Sequence, residues 1–106
     1  MGDVSVGGGG GGGGASGGVI YTDRSGTTAN ANAQIFAPAN PNRHGFYFQN
    51  ISTSTLWISA ISTAVATYPS IQILSGGYYE NPVGGAPVTA LWVIGSTGLV
   101  YSAAEW

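Results

Sequence analysis

The stretch Arg43-His44-Gly45-Phe46-Tyr47-Phe48-Gln49-Asn50-Ile51-Ser52-Thr53-Ser54-Thr55-Leu56-Trp57-Ile58 decides how this sequence is read. Two runs of aromatic and β-branched residues flank a short polar segment, and in each run the apolar side chains alternate. Alternation with period two puts Phe46 and Phe48 on one face of a first strand and Leu56 and Ile58 on one face of a second. With the polar segment between them, the expected structure is a β-hairpin with one buried face. The stretch also holds the only histidine and one of two arginines, so any chemistry is to be sought near it.

Outward from this stretch the same grammar continues. Toward the N-terminus, Val19–Thr22 is a short strand candidate and Asp23-Arg24-Ser25-Gly26 a turn with Asp and Gly in favoured places. Thr27–Ala37 is a weaker strand, resting on Ile35-Phe36 and the lack of helix caps. Pro38-Ala39-Asn40-Pro41-Asn42 breaks the pattern. Toward the C-terminus, Ile61–Pro69 is a Ser/Thr/Ala loop and Ser70–Leu74 a strand with Ile71 and Ile73 facing one way. Ser75-Gly76-Gly77 then supplies positive-φ residues for a tight turn into Tyr78-Tyr79-Glu80. A Pro/Gly loop over Asn81–Pro87 leads to Val88–Ile94, which Gly95-Ser96-Thr97-Gly98 turns back into Leu99–Trp106. About eight short strands with regular turn signals and no amphipathic helix predict one all-β antiparallel sandwich, jelly-roll-like, over residues 19–106.

Residues 1–18 form a separate arm. Eight consecutive glycines, Gly7, Gly8, Gly9, Gly10, Gly11, Gly12, Gly13 and Gly14, are followed by Ala15-Ser16-Gly17-Gly18. Fixing eight such residues costs on the order of 10 kcal/mol at about 1–2 kcal/mol each, so a free tract of this kind is a flexible coil. Fully extended, the arm reaches roughly 60 Å. The expectation is that the tract lies along a neighbouring subunit, in a groove too narrow for side chains; a plain linker is the alternative. It is not a phosphate loop, because a Walker motif needs Gly-Lys-Ser/Thr and the chain has no lysine.

Composition limits the functions open to the chain. Its 106 residues carry 6% charged side chains, against roughly a quarter in an ordinary soluble domain. The net charge of −2 gives copies little mutual repulsion. Two arginines cannot hold a phosphate backbone, so nucleic acid is not an expected partner. Zero cysteines exclude disulfides and thiolate metal sites. The apolar runs are too short to span a bilayer, no secretory signal is visible, and Val6 stands where a myristoylation site needs Ser or Thr.

Chemistry is sparse. Asp23, Glu80 and Glu105 show no paired-acid spacing, there is no Gly-x-Ser-x-Gly elbow, and one histidine beside an arginine is a poor general base. Neither an enzyme nor a cofactor or metal site is expected. Arg43, with His44, either contacts an anion or a partner or satisfies carbonyls or a carboxylate such as Glu80 or Glu105. Asn50-Ile51-Ser52 matches a glycosylation sequon but reads as a turn. Trp57, Trp92, Trp106, Tyr47, Tyr78 and Tyr79 form an aromatic set suited to core, interface or sugar stacking. Candidate partner-binding residues are therefore Gly7 to Gly14, Arg43, Trp57, Tyr78, Tyr79 and Trp92. Because several runs are apolar on both faces, notably around Trp92-Val93-Ile94, contacts between copies are expected.

Three blocks together carry a resemblance: Asn42-Arg43-x-x-Phe46-x-Phe48-Gln49-Asn50 with Leu56-Trp57-Ile58; Pro69-Ser70-Ile71 with Gly76-Gly77-x-Tyr79-Glu80; and Ala90-Leu91-Trp92-Val93 with Glu105. Over about residues 38–106 the chain resembles small β-structured proteins encoded among the virion genes of tailed bacteriophages and prophages. The resemblance implies a structural virion component without catalytic residues, assembled in the bacterial cytoplasm. It would be a capsid decoration or cement protein on the outer head surface, its arm on neighbouring subunits, and its partners the major capsid protein or fibre and tail proteins. A homo-oligomer, a trimer in the first instance, is expected. The alternative is a fibre or tail accessory module that binds a host-surface receptor or glycan through Trp57, Tyr78, Tyr79 or Trp92.

Overall fold

A computed structural model describes residues 19–82 and 84–106. The fold is all-β, with two antiparallel sheets laid out as a β-sandwich. The strands are β1 (Thr22–Asp23), β2 (Gly26–Thr27), β3 (Gln34–Ala37), β4 (Phe46–Asn50), β5 (Leu56–Ser59), β6 (Ile71–Ile73), β7 (Tyr78–Glu80), β8 (Leu91–Ile94) and β9 (Val100–Glu105). Sheet one runs β1-β9-β4-β7, with β2 also on β9; sheet two runs β3-β8-β5-β6.

The alternation in the central stretch is borne out. Phe46, Phe48, Leu56 and Ile58 are all buried, and Tyr47 and Trp57 between them are half-exposed. Phe48 stacks on Tyr101 at 5.1 Å, and Phe36, from the opposite sheet, lies 5.1 Å from Phe48. Leu91 and Val93 fill the same core from β8. Among the described residues fourteen hydrophobic ones are buried, and those of both sheets pack in one cluster, so the two layers share one interior.

The expected hairpin is not there. β4 pairs with β9 and β7, while β5 pairs with β6 and β8. Phe46 and Phe48 therefore face Leu56 and Ile58 across the core rather than along one sheet. The link Ile51–Thr55 is an arch between layers. Ser75–Gly77 and Gly95–Gly98, also read as hairpin turns, cross between sheets in the same way. The physical reason is common to all three: alternation fixes which face of a strand is buried, but it does not name the strand's hydrogen-bonding neighbour. Among the described residues, β5 and β6 are the only consecutive strands that pair, and the loop read as Ile61–Pro69 is what joins them.

Two further expectations are corrected near the N-terminal end. Asp23–Gly26 is not a reversing turn. Thr22 and Asp23 face Glu105 and Ala104, and Gly26 and Thr27 face Tyr101 and Val100, so β1 and β2 run in one register along β9. Between them Arg24 N–H still donates to the Ala103 carbonyl, and the Ser25 hydroxyl accepts from Ala103 N–H at 3.0 Å. The break is a local irregularity in one strand. Thr27–Ala37, in turn, is not one strand: residues 28–33 carry the chain from sheet one to sheet two.

Where the chain changes sheet, buried polar side chains hold it. Asn50, fully buried, donates through Nδ2 to the carbonyls of Ser54 at 2.6 Å and Ile73 at 2.8 Å, and its Oδ1 accepts from Ser52 N–H. Its backbone is paired with Gly76 and Gly77, so one residue ties two arches together. The asparagine of the Asn50-Ile51-Ser52 sequence thus ends β4 and holds the arch that follows it. Gly76 has φ 78°, which the third position of the Leu74–Gly77 turn requires. Thr28 does the same work at the third arch: its hydroxyl accepts from Leu99 N–H at 2.8 Å and donates to the Ser96 carbonyl.

Candidate partner-binding surfaces

Three charged residues, Arg24, Arg43 and Glu105, come together at one end of sheet one. Glu105, at the end of β9, is 2% exposed. Its Oε1 accepts from Arg43 Nε at 2.6 Å and from Asn40 Nδ2 at 3.3 Å, and its Oε2 accepts from Arg24 Nε at 2.6 Å. Burial alone would raise the Glu105 carboxyl, but the hydrogen bonds from Arg43, Arg24 and Asn40 outweigh it and hold the group below its ordinary value. Arg43 spends its other donors on backbone: Nη1 on the Pro87 and Thr89 carbonyls at 2.7 and 2.8 Å, Nη2 on Pro38 at 2.7 Å. Of the uses open to Arg43, satisfying carbonyls and Glu105 is the one the geometry shows. Its side chain is buried, and it clamps the loops at Pro38 and Pro87–Thr89 to the end of β9.

The outer face of sheet two has a different character. On β5 and β8, Trp57 and Ile94 sit opposite each other, as do Ser59 and Trp92, and Trp92 also faces Ile35 of β3. Ile35 is 48% exposed. At one end of this face, Ala31, Thr55, Trp57, Ala66, Ile94, Gly95 and Ser96 line an open hollow of about 300 Å³. None of these residues is charged. Among the described residues the charged ones are Asp23, Arg24, Arg43, Glu80 and Glu105, and all lie in sheet one or in the loops that end on it.

The outer face of sheet one carries a row of aromatic rings. Tyr47 on β4 and Tyr78 on β7 stack at 5.9 Å with their planes 25° apart. Tyr21, just before β1, lies 6.3 Å from Tyr47 and 4.9 Å from Trp106. Trp106 lies against Gly45, where a β-carbon would collide with the indole. Across the strands Gln49 stands opposite Tyr78 and Glu80 opposite Tyr47. The Tyr78 hydroxyl donates to Glu80 Oε1 at 2.8 Å. Desolvation first, and then the Glu80 hydrogen bond and charge, push the Tyr78 phenol up to about 12.

The sequence-derived candidates thus separate. Trp57 and Trp92 lie on the outer face of sheet two and Tyr78 on that of sheet one. Tyr79 turns inward, packing against the core 5.7 Å from Phe46. Gly7 to Gly14, with the rest of the arm over residues 1–18, lie outside the described residues. Sequence reasoning did not single out Tyr21, Tyr47 and Trp106 as one surface with Tyr78. Alternation does put Tyr47 opposite Phe46 and Phe48, but the neighbours β7 and β9 had no local signal. Comparison with protein-family models, curated proteins and solved structures gave no match, so the two outer faces and the buried ion cluster are what a functional reading has to rest on.

Proposed function

We propose that the chain is a structural virion protein of the capsid-decoration type, seated on other virion proteins through the outer face of sheet two. The observation that carries this reading is the segregation of charge: a face with two tryptophans, two isoleucines and no charged side chain, on a domain whose described charges lie in sheet one or, for the buried Arg43, in the loop that joins the two sheets. Interfaces that become buried are depleted of charge and enriched in tryptophan at their centres. Many copies on one particle give avidity, so each contact can be modest.

The jelly-roll reading belongs to the same proposal. Counting β1 and β2 as one interrupted strand, the pairs β1/β2–β9, β3–β8, β4–β7 and β5–β6 nest like rungs of one long hairpin whose tip is the loop between β5 and β6. Rolling that hairpin up makes β4–β9 and β5–β8 neighbours, which are the remaining pairs. Jelly rolls with two four-stranded sheets recur in viral capsid and lectin domains, an analogy of fold that supports the reading without carrying it. The three blocks that resemble phage virion proteins fall on the same framework: Arg43 and Glu105 in the ion cluster, Asn50 and Gly76 in the arches, Phe46, Phe48 and Leu91 in the core.

The decisive experiment is the copy number and position of the protein in purified particles. Hundreds of copies on the head, lost from particles when Trp57 and Trp92 are both changed to Gln in a chain that still folds, is the expected result. A handful of copies at the tail overturns the decoration role. In this reading residues 1–18 reach a neighbouring subunit, so their deletion abolishes incorporation while the domain stays folded. The oligomer, with a trimer as the expected state, is read from the solution mass.

A further inference from the structure

We propose that the aromatic row on the outer face of sheet one, Tyr21, Tyr47, Tyr78 and Trp106 with Gln49 and Glu80, is a binding platform for neutral glycans. It lies on the layer opposite the face assigned to assembly and does not depend on that assignment. The geometry carries it in three steps.

The rings are contiguous and accessible. Their centroids follow one another at 4.9, 6.3 and 5.9 Å from Trp106 through Tyr21 and Tyr47 to Tyr78. Tyr21 and Tyr78 are 45% and 55% exposed. Inward-facing neighbours on the same strands, Phe46, Phe48 and Tyr79, already supply aromatic packing to the core, so the outer row is not needed there.

Polar groups are interleaved with the rings. Strand register places Glu80 beside Tyr47 and Gln49 beside Tyr78. Among the described residues the Glu80 carboxylate accepts only the Tyr78 hydroxyl, which leaves further lone pairs to offer, and Gln49 offers both a donor and an acceptor. A ligand that fits must present an apolar face to the rings and hydroxyls at its rim, which is the surface of a pyranose. Aromatic residues with one apolar body and one polar tip suit such half-wet contacts.

Charge decides among stacking ligands. Nucleobases would also stack, but their phosphates would meet Glu80 and the exposed Asp23, while the guanidinium groups of Arg24 and Arg43 are turned to Glu105. Acidic glycans meet the same repulsion. A protein interface over this face would have to desolvate Glu80 without a cationic partner on this side. A neutral glycan needs neither.

The test uses the full chain and its three tryptophans, two on sheet two and one in the row. Maltohexaose, cellohexaose and chitohexaose are titrated into labelled protein to about 10 mM, a range that catches millimolar binding, with polysialic acid as the anionic counterpart. The expected result is a saturable shift of the Trp106 indole N–H signal with at least one neutral hexasaccharide, the Trp57 and Trp92 indole signals staying in place. Tyr78→Ala should weaken that binding at least about tenfold, as loss of one stacking ring does elsewhere. Glu80→Gln, which keeps the fold's register and all four rings, should weaken it less. No shift of Trp106 with any neutral hexasaccharide overturns the proposal. So do shifts confined to Trp57 and Trp92, or tighter binding of polysialic acid.

Discussion

At the scale of single residues, stability rests on a few buried polar side chains. Glu105 is the most consequential, because one carboxylate answers two guanidinium groups and an amide. Glu105→Gln removes the anion and leaves Arg43 buried without a counter-charge, which should cost about 3–5 kcal/mol. Against a total of about 5–15 kcal/mol for a domain, this is enough to threaten folding at ambient temperature, and urea denaturation measures it. Arg24 is partly solvated, so Arg24→Gln should cost far less. The same carboxylate sets a pH dependence. Its value in the folded chain is depressed, so the stability it confers is complete above the unfolded value and is lost as pH falls through the folded one. The urea midpoint of the native chain should fall between about pH 6 and about pH 3, and in a folded Glu105→Gln chain the fall should be much shallower. A residual slope is expected from Asp23, whose carboxyl is held low by hydrogen bonds from Ser25.

At the scale of elements, the strands were legible and their partners were not. Phe46-x-Phe48 and Leu56-x-Ile58 announce two strands with a buried face each, and both faces are in the core. A hairpin and an arch place the same demand on that pattern, since each buries one side of each strand. What separates them is the turn, and here the deciding side chain was Asn50, which its sequence neighbourhood presents as an ordinary turn or sequon residue. Its role depends on Ile73, which is distant in sequence and brought near only by the fold. Asn50→Ala strips the donor from the buried Ile73 carbonyl, while the exposed Ser54 carbonyl keeps the Ser52 hydroxyl, and an orphaned buried group costs about 1–3 kcal/mol. The expected loss is therefore about 1–3 kcal/mol by urea denaturation, more than surface turn residues give. Gly76→Ala, at φ 78° with open space around it, should cost only the left-handed backbone term of about 1–2 kcal/mol. Were Ile51–Thr55 a hairpin turn, Asn50→Ala would be close to neutral. Arg43 was legible to the extent that its two uses could be named; choosing between them needed the loop carbonyls of Pro38, Pro87 and Thr89, which no spacing rule brings together.

At the scale of the whole molecule, the domain has two outer faces of opposite chemistry, and the functional reading rests on treating them as independent. Sheet two presents Trp57, Trp92, Ile35 and Ile94 without a charge; sheet one presents rings interleaved with Glu80 and Gln49. The faces are separated by a core that both sheets share, so changes confined to one should not reach the other. Trp57→Gln with Trp92→Gln should lower self-association and particle incorporation, leaving neutral-glycan binding at Trp106 within about twofold of the native chain. Tyr47→Ala with Tyr78→Ala should do the reverse: incorporation unchanged, glycan affinity reduced by at least about tenfold. Sedimentation, particle counting and the Trp106 indole signal measure the three quantities on the same three proteins. Parallel loss of incorporation and glycan binding in either double variant, with both variants folded, would mean that one surface serves both contacts. The separation of charge between the layers would then be a consequence of placing the Arg43–Glu105 cluster in sheet one, with no bearing on partner choice.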